Sequence, residues 1–338
     1  MTGQHRFSAP GKAVLSGEYA VLRGAPAVSL ALDRRAVVTR CMTGGPVSTV
    51  RVPGHAFGEW RFELADTGQI AWLDAPPEQG LRLVEAALEA CGVSPDRHSD
   101  ITIDTRAFRD AGSGMKLGLG SSAAAVTALV MALLPPQHSL ADCLSMARHV
   151  HRTLQHDRGS GVDVVTSCAG GLILFRQGDD SLPTRLAWPA GLSCRFFFSG
   201  RSANTTAAID RLEAVAHARE AWAPLTSAAD ASAEAWLSLD AGRIVEASRD
   251  YAAALRRFSD GLDLGIFGAG HAVLADIATS QSLIYKPCGA GGGDIGVALA
   301  LCGTTLDAFS ASAAEAGFLP LEVALDNDGV RDDTGESG

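Results

Sequence analysis

Short apolar runs, broken by glycine and polar residues, open the chain. Phe7 begins one, the turn Ala9-Pro10-Gly11 interrupts it, Ala13 to Leu15 resumes it, and Ala27 to Leu32 forms the next. That punctuation predicts strand, turn, strand. Further β-prone pieces lie at Ser48 to Val52 and Trp60 to Leu64, and Asp100 to Asp104 alternates with the period of two of a half-buried strand. Leu81, Val84 and Leu88 recur at helical spacing within Gln79 to Cys91. An Ala-rich helix is expected over Ser122 to Leu134, where Pro135-Pro136 stops it, and another over about Leu140 to Gln155.

In the second half, Gly159 to Gly161 precedes Val162 to Cys168, and Gly170-Gly171 leads into a strand expected over Leu172 to Phe175. Residues 177–189 read as a linker or hairpin between halves. A strand at Cys194 to Phe198, Ala-rich helices between Ala203 and Thr279 and a strand at Leu283 to Lys286 follow. The run Gly289 to Gly293 is expected to open a helix over Asp294 to Leu301, with a last helix over Leu306 to Ala316. A strand within Phe318 to Leu325 is confined to an edge, or delayed, by Pro320. No internal repeat is evident. Strands and helices mix without the regular alternation of a doubly wound sheet, so the expected class is α+β.

Composition bounds the function. With 338 residues, 47% apolar and 20% charged, the chain can bury one large or two medium-sized cores unaided. Its 28 basic and 38 acidic residues give a net charge of -10, which would repel a polyanion, so no nucleic-acid partner is expected. Seven scattered cysteines without a CxxC pair suggest neither disulfides nor zinc, and a reducing compartment fits. The longest apolar run, Ala123 to Leu134 with one Thr, is too short to span a bilayer, and the N-terminus lacks the apolar core of a signal peptide. A cytoplasmic protein with no membrane partner is therefore expected; oligomeric state is left open.

Only three of the basic residues are lysines, Lys12, Lys116 and Lys286, and all three fall in Gly-rich segments. A compact, mobile ammonium suits a site that follows a moving phosphoryl oxygen better than the planar fork of arginine does. The strongest of these segments is Gly118-Leu119-Gly120-Ser121-Ser122-Ala123, where glycines free the backbone and two hydroxyls stand at a helix start. Unpaired N–H groups there carry roughly half a positive charge and can cradle a nucleotide phosphate even in an acidic chain. The string is not a GxxxxGK[ST] loop, because Lys116 precedes the glycines. A Ser-capped packing helix would give a similar string. Ala9-Pro10-Gly11-Lys12, with Glu18 six residues on, could hold a lysine beside a transferring group or form a surface hairpin. Gly289 to Gly293 marks a close backbone approach or a flexible loop.

Taken in this order, APGKAVLSGEYAVLRGAPA, GLGSSAAA and KPCGAGGGDIG resemble the three motifs of the GHMP kinase superfamily, over residues 7 to about 300. Within it, Lys116 before GLGSS, Lys286 and Asp294 in the third motif, and Gly159-Ser160-Gly161-Val162-Asp163-Val164 with Gln155 upstream resemble the phosphomevalonate kinase branch. Phe198 to Thr205 is similar to that branch's substrate-side loop, with Phe-Ser-Gly in place of Trp-Thr-Gly. The resemblance implies a two-lobed α+β fold: an N-terminal α/β lobe over residues 1–185, a C-terminal ferredoxin-like lobe over 186–326, and an acidic tail, 327–338, expected to be disordered. It implies a kinase that uses ATP and Mg2+ and whose small-molecule substrate is 5-phosphomevalonate, giving 5-diphosphomevalonate and ADP.

Residue by residue, the resemblance makes Lys12, Lys116 and Asp163 the catalytic candidates. Lys12 would neutralise charge on the moving group, Lys116 would hold the donor or acceptor phosphate, and Asp163 would orient Lys12. Gly118, Gly120, Ser121, Ser122 and Ala123 would bind the ATP phosphates, with Ser122 also the expected magnesium contact. Glu18, Tyr19, Ser160, Arg201, Ser202, Lys286, Gly291 and Gly292 are the expected substrate side, Glu18 chiefly by orienting Lys12 or its loop. One departure matters: mevalonate kinases carry a metal-binding Glu eleven residues before the active-site Asp, and Arg152 stands there. His149, His151, Arg152, His156 and Arg158 form a basic cluster that faces either a phosphorylated substrate or solvent. Rival readings are a GHMP kinase with an alcohol acceptor, such as mevalonate kinase, and a catalytically silent nucleotide or metabolite sensor.

Overall fold

In the computed structural model, which describes residues 3–54, 58–65, 69–74, 81–94, 98–156, 158–178, 181–203, 208, 210–212 and 219–335, strands from both ends of the chain meet in one sheet. β1 (Gln4–Ser16) and β2 (Pro26–Met42) form its long hairpin. Beyond β2 come β6 (Ser99–Asp104), β3 (Ser48–Arg51), β4 (Glu59–Leu64) and β5 (Ile70–Trp72), of which only the β3–β6 pair is parallel. β7 (Leu172–Arg176) pairs with the start of β2, and β8 (Thr184–Leu186) with β7, so the segment between the halves is a hairpin. The turn expected at Ala9-Pro10-Gly11 is instead a bulge inside continuous β1, where the register against β2 shifts between Pro10 and Gly11. Pro10 brings no N–H to the ladder, and a Cβ at Gly11 would approach Leu119 O to 2.8 Å.

Against β1 and β2 pack α2 (Ser121–Leu133) and α4 (Val162–Ala169), flanked by α3 (Leu140–Leu154) and α1 (Arg82–Ala90). Gln79, expected to begin α1, lies outside the described residues. Every residue of α2 from Ala123 to Val130 is buried, which its lack of any polar face requires and its alanines permit by close approach. α3 is amphipathic and opens on a capping box, Ser139 and Asp142 bonding each other's backbone.

A second sheet is fully antiparallel. It runs β10 (Ile284–Pro287), β11 (Ile295–Ala300), β9 (Ser193–Phe198), β12 (Leu319–Leu321), backed by α6 (Ala241–Gly261), α7 (His271–Ser280) and α8 (Gly303–Glu315), while α5 (Arg219–Ser238) packs on α6 and against β2 of the first sheet. Taken in chain order, the strands sit 2-3-1-4, the split βαβ order of a ferredoxin-like sheet. The helix expected over Asp294 to Leu301 is in fact the central strand β11. Its six residues are all buried, and a continuous apolar run that short carries no period to separate strand from helix. Pro320 lies on edge strand β12, as its missing N–H demands.

The C-terminal segment differs from the disordered tail expected of 327–338. It returns to the first sheet: Gly171 N–H donates to Asp326 O at 2.7 Å, Val330 N–H to Cys168 O at 3.1 Å, and β13 (Arg331–Asp332) lies beside β1. Arg35 secures it, donating to the Asp326 carboxylate and to Gly329 O, while Ser8 donates to buried Asp333. Acidic composition favoured disorder, but these carboxylates have partners on β1 and β2. Residues 336–338 lie outside the described residues.

Candidate active site

A cleft of about 340 Å³ is lined by β1, the start of α2, the facing parts of α3 and α4, and two loops of the second sheet, 199–203 and 288–294. Its floor is the turn Gly118-Leu119-Gly120. Leu119 O accepts the Lys12 N–H at 2.8 Å, which joins the turn to β1. Gly118 and Gly120 have φ of 77° and 79°, the left-handed region that costs other L-residues. Side chains are also excluded sterically, because a Cβ at Gly120 would lie 3.1 Å from Lys12 Cε and one at Gly118 would collide with Asp294. No side chain caps α2, so the N–H groups of its first turn have no partner within the helix, and Ser121, Ser122 and Ala123 line the cleft there. Lys12 and Lys116 line it too. An open helix N-terminus sharing a cleft with two ammonium groups has the chemistry to hold an anion.

Asp163 stands in the first turn of α4 and lines the opposite wall. Its Oδ1 accepts the Val164 N–H at 2.9 Å, and its Oδ2 is 3.7 Å from Nε2 of His151, which is only 2% exposed. No ion pair within 4.0 Å joins Asp163 to Lys12 among the described residues, so the neighbour of this carboxylate is His151 rather than the expected lysine. Glu18 does not orient Lys12 either. It pairs with the Lys286 ammonium, both side chains 1% exposed, and Lys286 also donates to Pro287 O at 2.8 Å. Lys286, expected on the substrate side, thus lies behind the cleft and ties β10 to the loop after β1. Tyr19 adds a second tie, its hydroxyl donating to Ala290 O at 2.6 Å, and burial pushes its titration up.

Residues 81–171 match the family model described as GHMP kinases N terminal domain. This segment therefore carries a GHMP kinase N-terminal domain. Over 351 residues, 88% of this chain and 91% of the relative, it is 28% identical to a phosphomevalonate kinase of Streptomyces sp. strain CL190. It is 30% identical to a mevalonate kinase of Aeropyrum pernix over 183 residues, 53% of each. The solved Streptococcus pneumoniae phosphomevalonate kinase in complex with phosphomevalonate and AMPPNP superposes with a TM-score of 0.75 at 18% identity, covering 95% of this chain and 99% of that one. The fold is therefore that of the GHMP kinases.

Around the cleft the remaining expected residues divide. Ser160 and Ser202 line the cleft, whereas Arg201, Gly291 and Gly292 do not. Arg201 is exposed and serves through its carbonyl, which accepts the Asp294 N–H. Gly291 and Gly292 fold the third Gly-rich segment against Ile266, whose carbonyl accepts the Gly292 N–H at 2.8 Å. Of the substrate-side loop, Asn204 and Thr205 lie outside the described residues. The basic cluster splits by helix face: His151 and Arg158 line the cleft, while His149, Arg152 and His156 are exposed. Asp294 and Cys288 also line the cleft and were not among the candidates. Asp294 was visible as part of the third motif, and Cys288 carried no signal; burial pushes its thiol up to about 11, so it is an unreactive wall. Behind that segment, buried His271 donates from Nε2 to Gly293 O at 2.9 Å and accepts the Tyr285 hydroxyl at 2.8 Å, which fixes the neutral tautomer.

Proposed function

We propose that this GHMP kinase transfers the γ-phosphoryl group of ATP to the phosphate of 5-phosphomevalonate, giving 5-diphosphomevalonate and ADP. The observation that carries the reading is the gathering of Lys12 and Lys116 with the open N-terminus of α2 in one cleft. That is more positive potential than one nucleotide phosphate chain requires, and it suits an acceptor that brings its own phosphate. The Streptomyces phosphomevalonate kinase, similar over nearly the whole of both chains, supports it further.

A phosphate acceptor is already an anion at neutral pH, so transfer needs alignment and charge neutralisation around a loose transition state more than a strong base. Lys12 follows the oxygens that gain charge, and Lys116 holds a phosphate from the exposed rim. Ser121, Ser122 and the first-turn amides of α2 bind the nucleotide phosphates; Ser160 and Ser202 meet the acceptor. Asp163, set beside His151, faces the acceptor from α4. Among the described residues no cluster of three or more His, Cys, Asp or Glu side chains could cage a metal. The Ser122 hydroxyl, at the open start of α2, would hold Mg2+ here as a cation that keeps most of its waters. When bound, it would supply further neutralisation of phosphate charge.

A second reading, an alcohol acceptor with Asp163 as general base, is favoured by that carboxylate's freedom from Lys12 and by the Aeropyrum mevalonate kinase. Phosphorus NMR of the product separates the two. The proposed reaction gives a pair of mutually coupled diphosphate resonances from the acceptor, and a lone monophosphate ester resonance from mevalonate would reverse the reading.

A further inference from the structure

Asp294 follows five consecutive residues of the third Gly-rich segment and has a φ of 56°, a left-handed conformation that glycine takes freely and other residues take at a cost. Its bonds account for the exception. The Asp294 N–H donates to Arg201 O at 2.7 Å, its carbonyl accepts the Ser199 N–H at 2.9 Å, and its Oδ1 accepts the Ala203 N–H at 2.9 Å. All three partners belong to loop 199–203 of the second sheet. The side chain meanwhile fills the space over Gly118 on the first sheet's side, where no Cβ could fit. The carboxylate therefore stands where the two halves of the cleft wall meet. Burial raises its titration above the ordinary aspartate value, against the downward pull of the Ala203 amide, Lys12, Ser202 and Lys116.

We propose, resting on the kinase reading above, that Asp294 is a positioning residue whose carboxylate latches loop 199–203 to the Gly118 turn and so fixes the acceptor end of the cleft. An empty cleft with two ammonium groups repels itself, and a fixed carboxylate within their field offsets that repulsion. The charge-assisted bond from Ala203 turns this electrostatic role into loop position, with Ser202 carried beside it.

Two substitutions test the latch. Asp294→Gly removes the carboxylate yet suits the backbone, so its melting temperature equals or exceeds that of the unaltered enzyme. Its KM for 5-phosphomevalonate rises by about 10-fold or more while kcat changes much less, and hydrogen exchange of the 199–203 amides accelerates. Asp294→Asn keeps an acceptor for the Ala203 N–H but not the charge, so exchange stays within about 3-fold of the unaltered enzyme while acceptor KM falls between those of the unaltered enzyme and Asp294→Gly. An unchanged acceptor KM or unchanged exchange in Asp294→Gly overturns the proposal, as does a fall in melting temperature in step with activity, which marks plain structural support. If the unaltered enzyme does not turn over 5-phosphomevalonate, the kinase reading fails on that control, and exchange at 199–203 alone decides the latch: faster upholds it, unchanged overturns it.

Discussion

Lys12 and Asp163 reach the cleft from different elements, β1 and α4, and are not ion-paired with each other. Independent placement implies independent contributions. Lys12→Met should lower kcat by about 10²–10⁴-fold while ATP binding changes far less, and the penalty of Asp163→Asn should multiply with it in the double variant. Steady-state kinetics of the four proteins checks this, and a double variant no slower than Lys12→Met would mean that Asp163 acts only through the lysine. Lys286 belongs to a different account. Replacing it by Met leaves Glu18 charged in a site 1% exposed, at a cost of about 3–5 kcal/mol, and adding Glu18→Gln should restore much of that. Denaturant unfolding reads both; a loss under about 1 kcal/mol for Lys286→Met would contradict the pair's role. The sequence marked all three lysines by their rarity and their Gly-rich settings. It could not separate them, because the partner that takes Lys286 out of the cleft lies 268 positions away.

At the scale of elements, glycine and proline punctuation located most boundaries, and the places where it misled have local physical causes. β1 runs through Pro10-Gly11 because a bulge absorbs both residues, and β11 was invisible as a strand because its six apolar residues have no period. The third Gly-rich segment between β10 and β11 depends on α7, whose His271 holds Gly293 O. Burial holds the His271 ring at about 4, below the ordinary 6.5. Its stabilising contribution is therefore complete above pH 6.5, where both folded and unfolded rings are neutral. It declines as pH falls toward 4, because the unfolded ring binds the proton first. Unfolding free energies measured across that range should drop by roughly 3 kcal/mol from this group. His271→Gln should flatten that slope, and an identical slope in the variant would contradict the assignment.

Across the whole molecule, the chain closes on itself: its last described strand lies beside its first, and the cleft is walled by loops from both sheets. This acidic chain gathers two lysines and one helix N-terminus in a cleft of about 340 Å³, the arrangement on which the proposed phosphate chemistry rests. That economy was legible in the sequence, since GLGSS and the scarce lysines pointed to it directly. The ordered C-terminal segment was not, because its acidic residues find Arg35 and Ser8 only in the folded sheet. The proposed acceptor carries a phosphate of its own. Its most direct test is kcat/KM for ADP release from Mg-ATP with 5-phosphomevalonate or mevalonate, at matched concentrations and moderate salt. A preference for 5-phosphomevalonate of about 10²-fold or more, roughly 3 kcal/mol of transition-state binding, is expected; equal turnover, or preference for mevalonate, would contradict the proposed acceptor.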